Sequence, residues 1–214
     1  MTMPVADRLT EAALAVAAEH GWCRLTMAEV ARHAGVALTD AYDTFPDRTA
    51  LLAGILAATD RAVLAAGDAE GGESPSDRLF EVMMRRFDVL QTRREGYRAI
   101  LRDLPADPCA AIALMPRFAR SLAWMLEAAG LSSAGLAGNL RTKALAVIYF
   151  DALRVWLTDD SADMAKTMAV LDKNLSRARQ LAGCCPLLSG RASSSKPPEP
   201  PQTAPDSPAT EVPD

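Results

Sequence analysis

Apolar residues recur every three or four positions along most of the chain, and glycine, proline and polar breaks divide the pattern into nine helices. Leu9, Ala12, Ala13, Val16 and Ala17 share one face of a first helix over about 8–20, which Gly21 ends. Thr26 with Glu29 three residues later has the composition of a capping box and opens a second helix, whose Val30, Ala31 and Ala34 face inward. Gly35 breaks that helix. A short third one covers about 39–44 and stops at Pro46, which lacks the N–H a helix interior needs. Asp47 caps a fourth, carrying Leu51, Leu52, Ile55 and Leu56. The glycines at 67, 71 and 72 mark a loop, and Ser74, Pro75 and Asp77 then start a helix that runs to about 91. Shorter and longer helices follow over 95–102, from Asp107 to about 129, from Gly138 or Asn139 to 157, and from Asp160 or Ser161 onward. No segment alternates with period two, so the expected fold class is all-α.

Composition changes this picture at the end of the chain. Seven of the fourteen prolines fall between Pro197 and Pro213, and large apolar residues are almost absent from 191 onward. Such a segment cannot offset its ordering entropy and is expected to be disordered. The resulting division is a helix-turn-helix domain over 1–50, a helical bundle over 51–188 and a proline-rich tail over 189–214. Half of the 214 residues are apolar, enough for a sizeable core. The net charge of -4 is mild. No run of 18 apolar residues predicts a membrane span, and residues 1–8 lack a basic-then-apolar leader pattern. Cys23, Cys109, Cys184 and Cys185 have no metal-like spacing and read as buried or idle thiols in a reducing cytoplasm.

A helix, a glycine turn at Gly35 and a short second helix make a helix-turn-helix, whose second helix enters a major groove. Spacing alone leaves ordinary helix packing as an alternative. Residues 8–56 also resemble the N-terminal domain of the tetracycline-repressor (TetR-type) regulators. The likeness rests on Ala12-Ala13-Leu14, Gly21-Trp22, Leu25-Thr26-Met27, Val30 through Val36, Ala41-Tyr42, Phe45-Pro46-Asp47-Arg48 and Ala50-Leu51-Leu52. It implies a homodimer with a DNA-binding head and a six-helix bundle that binds an effector and dimerises. It also implies that Thr26 caps the second helix beside a phosphate, with Arg32 nearby. Leu38, Thr39, Asp40, Asp43 and Thr44 would form the outer surface of the recognition helix, with Tyr42 against the DNA backbone. Phe45 would lock that helix to the core, and Arg48 would stand beside a phosphate.

Charge runs against part of that implication. Residues 1–60 hold four arginines, no lysine and eight acids, a net -4. Asp40 and Asp43 lie three apart on the helix that would approach a polyanion, whose binding depends on phosphate neutralisation. One aspartate can accept from a cytosine amino group. Two with no adjacent cation conflict with the interface.

In the bundle, the 139–157 helix is apolar nearly all round and needs a partner surface. Leu145, Tyr149, Leu153 and Trp156, with Met164, Met168, Leu171 and Leu175 of the last helix, are the expected dimer face; packing within one subunit is the alternative. Methionines accommodate varied apolar ligands, so Met83, Met84, Phe87, Met115, Phe118, Met125 and Phe150 are candidate liners of a site for a small apolar molecule or lipid. The arginines at 85, 86, 93, 94, 98 and 102 read mainly as a solvated face, with a carboxylate-ligand site or a protein contact as alternatives. Leu140 through Tyr149, then Trp156 and the acidic 159–163 stretch, also resemble the lipid-binding accessory proteins of ubiquinone biosynthesis. Those share the TetR-type fold without regulating transcription.

Catalysis finds no support. His20 and His33 are the only histidines, and neither has a metal-ligand spacing; no phosphate loop or triad spacing occurs, and no cofactor is expected. The expected function is a cytoplasmic TetR-type regulator that binds operator DNA as a dimer and answers to a small apolar effector. The alternative is a DNA-silent lipid or isoprenoid binder of the same fold.

Overall fold

A computed structural model describes residues 3–67 and 74–184. The described residues form nine α-helices and two short 3-10 turns. The first core is built by α1 (Val5–His20), α2 (Met27–Ala34), α3 (Leu38–Thr44) and the first half of α4 (Arg48–Leu64). Leu9, Ala13, Ala17, Trp22, Val30, Ala41, Leu51 and Ile55 are its buried centre. The second core is a bundle of α5 (Pro75–Thr92), α7 (Pro108–Ala128), α8 (Gly135–Trp156) and α9 (Ala165–Cys184), closed around Phe87, Leu122, Met125, Trp156 and Leu171. α6 (Arg94–Asp103) joins them, giving Ala99 and Ile100 to the first core while Tyr97 packs against both.

Most helix starts follow from their caps. The Thr26 hydroxyl accepts the Glu29 N–H at 3.2 Å, Asp47 accepts from Ala50 at 2.7 Å, and Asp107 accepts from Ala110 at 3.0 Å. Ser74 and Asp77 form a reciprocal capping box below Pro75. At Thr26 only half of the expected box forms, because the Glu29 carboxylate faces His20 Nε2 at 3.3 Å instead. Gly35 ends α2 with a left-handed φ of 61°, and Arg8 donates to the carbonyls of Ala34 and Gly35 at 2.5 and 2.7 Å. Four helices begin earlier than the pattern predicts, at Val5, Leu38, Arg94 and Gly135.

The division expected at residue 50 cuts near the start of α4, yet this helix belongs to both cores. Leu51, Leu52 and Ile55 sit in the first, and Val63 sits in the second. The tail over 189–214, most of the 67–75 loop and Cys185 lie outside the described residues. Cys23 and Cys109 are free and exposed rather than buried. Among the described residues one helix, α7, is long and apolar enough to cross a membrane by length and mean hydropathy. Its inner face, Leu122, Met125 and Leu126, fills the bundle core.

Two close approaches fix the frame. At Gly96 of α6 a Cβ would stand 2.4 Å from the Leu14 carbonyl oxygen of α1, so only glycine lets these backbones meet. Gly96→Ala is expected to destabilise the protein by about 1–3 kcal/mol through forced backbone separation. Urea unfolding checks this, and an unchanged midpoint would contradict the close packing. Before α9, the buried Asp159 carboxylate accepts from Ser161 and from the N–H and hydroxyl of Thr167, the latter two at 2.9 Å. Burial opposes its charge, but these donors outweigh that cost and hold the carboxyl well below the usual carboxylate range. Its contribution is therefore present above about pH 4, the unfolded value, and is lost as pH falls through the lowered folded one. Asp159→Ala is expected to cost about 1–3 kcal/mol at neutral pH, with a smaller deficit in acid; thermal unfolding across pH reads both.

Candidate functional site

The helix-turn-helix surface is set by which α3 residues the first core consumes. Ala41 is buried against α1 and α2, and Phe45 packs on α4 at Gly54, where a Cβ would stand 2.5 Å from the ring. That leaves Leu38, Thr39, Asp40, Tyr42 and Asp43 exposed, with Leu38 at 55% and Tyr42 at 66%. Thr26 and Arg32 are exposed as well. Thr44 is half-buried and spends its hydroxyl on the Asp40 carbonyl at 2.6 Å. Ala37 precedes α3 without a side-chain cap.

Arg48 departs from its expected place beside a phosphate. Its Nη2 donates to the Trp22 carbonyl at 2.8 Å and its Nη1 to the Cys23 carbonyl at 3.5 Å, and the guanidinium lies 5.4 Å from the Trp22 ring centre. The side chain is half-buried and ties α4 to the turn after α1. The acids at 40 and 43 stay exposed on α3.

The bundle holds a cavity of about 480 Å³. Its wall comes from α4 (Leu52, Ile55, Thr59), α5 (Arg86, Leu90), α6 (Tyr97, Ile100), α7 (Met115, Phe118) and α8 (Tyr149, Phe150, Leu153). Of the seven candidate liners only Met115, Phe118 and Phe150 face it. Met83, Phe87 and Met125 are fully buried in the core, and Met84 packs partly buried against it. Phe87 packs instead against the rings of Tyr149 and Trp156, centres 5.5 and 6.5 Å apart.

The polar groups of this wall were missed. Arg86 is buried, and its Nη1 donates to Asp60 of α4 at 2.6 Å while its Nε donates to the Tyr149 hydroxyl at 3.3 Å. Ser121 of α7 donates to the same Asp60 oxygen at 2.6 Å. Burial opposes the Arg86 charge, yet Tyr149 and Asp60 hold its pKa above the ordinary value. Thr59 and Tyr97 hydroxyls are 2.8 Å apart, and burial raises the Tyr97 pKa. A signal existed: Val82, Met83, Arg86 and Leu90 fall at helical spacing, which puts Arg86 on the apolar stripe of α5 rather than on a solvated face. Arg94 and Arg98 also leave that face. Both donate to backbone carbonyls at the end of α8, Arg94 to Asp159 and Arg98 to Leu157.

The dimer face expected on α8 and α9 requires correction. Leu145, Tyr149, Leu153, Trp156, Met164, Leu171 and Leu175 are all buried inside the subunit, because both helices turn their richest stripe toward α5 and α7. Of the eight, Met168 alone is exposed, at 40%. The exposed large apolar residues of α8 are Leu136, Leu140, Val147 and Phe150; the first three, spaced four and seven apart, share one face, and Phe150 lines the cavity. Among the described residues no three His, Cys, Asp or Glu side chains group as a metal would need.

Residues 9–55 match the family described as bacterial regulatory proteins, tetR family. No curated protein matches the chain. Among solved structures, a TetR transcriptional regulator from Nitrosomonas europaea is 22% identical with a TM-score of 0.68, over 83% of this chain and 99% of its own. One from Rhodococcus is 23% identical with a TM-score of 0.63, over 81% and 94%. NalD of Pseudomonas aeruginosa, the secondary repressor of the MexAB-OprM multidrug efflux pump, is 17% identical with a TM-score of 0.51, over 81% and 96%. The fold is therefore the all-α TetR-type architecture, a helix-turn-helix region followed by a helix bundle. The two structures that carry it here are each named as a TetR transcriptional regulator. The C-terminal likeness to accessory proteins of ubiquinone biosynthesis has no counterpart in these matches.

Arg48→Ala is expected to lower stability by about 1–2 kcal/mol, since two carbonyl contacts and the Trp22 stacking go together. Any DNA affinity should keep its salt slope. A slope lowered by about one unit, with stability unchanged, would return Arg48 to a phosphate.

Proposed function

We propose that this protein is a cytoplasmic, dimeric TetR-type transcriptional regulator that binds operator DNA through α2 and α3 and responds to a small apolar effector in the bundle cavity. One observation carries the reading: α4 lines the cavity with Leu52, Ile55 and Thr59 and supports the recognition helix through Phe45. A ligand that fits the cavity in only one position of α4 biases the position of α3, which is coupling between two sites through a shared element. Dimerisation is assigned to the outer faces of α8 and α9, through Leu140, Val147 and Met168. Arg24 and Arg32, both exposed, are the cations left for phosphate contact.

A second reading keeps the fold and the ligand but not the DNA. It is favoured by Asp40 and Asp43, exposed on α3, and by Arg48, which is occupied by backbone carbonyls. In that case the cavity holds a lipid or isoprenoid as the protein's main task.

Fluorescence anisotropy against the protein's own upstream region, with an unrelated duplex and a salt series, separates the two. The regulator is expected to bind its own region saturably and above the control. Near-zero affinity for both duplexes at low salt would overturn it. Asp40→Asn and Asp43→Asn are each expected to raise non-specific affinity about two- to tenfold at low salt by removing repulsion; no gain in that titration would show that the acids lie off the DNA path.

A further inference from the structure

The cavity wall is apolar except where Thr59, Arg86, Tyr97 and Tyr149 reach it and where Arg154 lies exposed at its margin. Counting protons on Thr59, Arg86 and Tyr149, which are buried, and on half-buried Tyr97 shows what that patch offers. Thr59 has one hydroxyl proton and gives it to the Ile55 carbonyl at 2.9 Å. The 2.8 Å contact with Tyr97 is therefore donated by Tyr97, whose proton is spent. Tyr149 differs. Its oxygen accepts from Arg86 Nε, and its own proton has no acceptor among the described residues. Arg86 uses Nε and Nη1, leaving Nη2 without a protein partner among those residues. Nε and Nη2 share one edge of the planar guanidinium, so the free Nη2 lies on the side where the Tyr149 hydroxyl sits.

The geometry points to an effector with a neutral carbonyl head, held by the Tyr149 hydroxyl and Arg86 Nη2, and an apolar body running past Phe118 and Met115. The head must be an acceptor because both free groups donate. It is neutral because Asp60 already balances the Arg86 charge at 2.6 Å. A carboxylate there would be a buried charge without a counterion, beside Asp60. Ketones, esters, amides and lactones satisfy these terms; fatty-acid anions and plain hydrocarbons do not. This inference rests on the cavity being the effector site.

Displacement of Nile red by 2-nonanone, nonanoate and nonane at pH 8 tests it, with bound-ketone infrared spectra alongside. The ketone is expected to bind about five- to tenfold tighter than nonane, the worth of one or two hydrogen bonds, and nonanoate weakest of the three. Tyr149→Phe keeps the ring and removes one of the two donors, so it should narrow the ketone's advantage over nonane about two- to fivefold while leaving nonane unchanged. The carbonyl stretch of bound ketone should sit at lower frequency in the parent than in that variant. Thermal unfolding confirms that the variant is folded, and Met115→Trp, which narrows the apolar end, should weaken all three probes. Tightest binding by nonanoate would overturn the neutral head, as would equal binding of all three with no effect of Tyr149→Phe; either result leaves a ligand-responsive bundle standing. Failure of Nile red and every probe to bind would overturn both this inference and the cavity's role as effector site.

Discussion

One buried guanidinium organises the bundle. Arg86 of α5 reaches Asp60 of α4 and Tyr149 of α8, and Asp60 also takes the Ser121 hydroxyl of α7, so four helices meet at one polar node. Arg86 has only 2% of its side chain exposed. Removing a charge from water at that depth costs several kcal/mol, which a paired carboxylate and aligned hydrogen bonds must offset. Apolar residues of the same volume would pack at least as stably. What the node adds is direction: each helix must present one particular atom, and the helices cannot slide without leaving a buried charge unpaired. A bundle of leucines and methionines alone has no such register.

The node also explains why the cavity has a polar wall. Satisfying Arg86 and Asp60 with protein groups uses Nε, Nη1 and the Ser121 proton, while the remaining donors face space that no side chain fills. The aromatic rings of Tyr149, Phe118 and Phe150 set the other side, with ring centres 5.0–6.3 Å apart. Because Asp60 belongs to α4, the same pair that shapes the cavity restrains the helix shared with the helix-turn-helix core. Gly96 adds a second restraint by pressing α6 onto α1.

The sequence made much of this legible, for a physical reason. Helix starts depend on local caps, and Thr26, Asp47, Ser74 and Asp107 act within three residues of their partners. Which face of an apolar helix turns inward is a long-range property. The pattern of Leu145, Trp156 and Leu171 predicts a dimer face with core packing as the alternative, and the packing of α8 and α9 in the bundle puts them in the core. Arginines were misread for the same reason. Arg48, Arg94 and Arg98 bind carbonyls far away in sequence, at the turn after α1 and the end of α8, and nothing local announces those partners. Arg86 alone had a local signature, its place on the stripe with Val82, Met83 and Leu90.

The acidic recognition surface bears on the cavity as well. A strongly cationic head would hold DNA by counterion release whatever the effector did, and a ligand worth a few kcal/mol would struggle to release it. Here Asp40 and Asp43 oppose phosphate and Arg48 is occupied elsewhere, which leaves Arg24 and Arg32 as the exposed cations of that region. On the proposed regulator reading, this keeps non-specific affinity low, and operator binding then depends on the positions of the two α3 helices in the proposed dimer. Affinity that depends on position is affinity that a shift of α4 can remove. The acids that favour the DNA-silent reading are thus also compatible with regulation: in a regulator they would lower the coupling energy that the cavity must supply, toward what a neutral ligand with one or two hydrogen bonds can give.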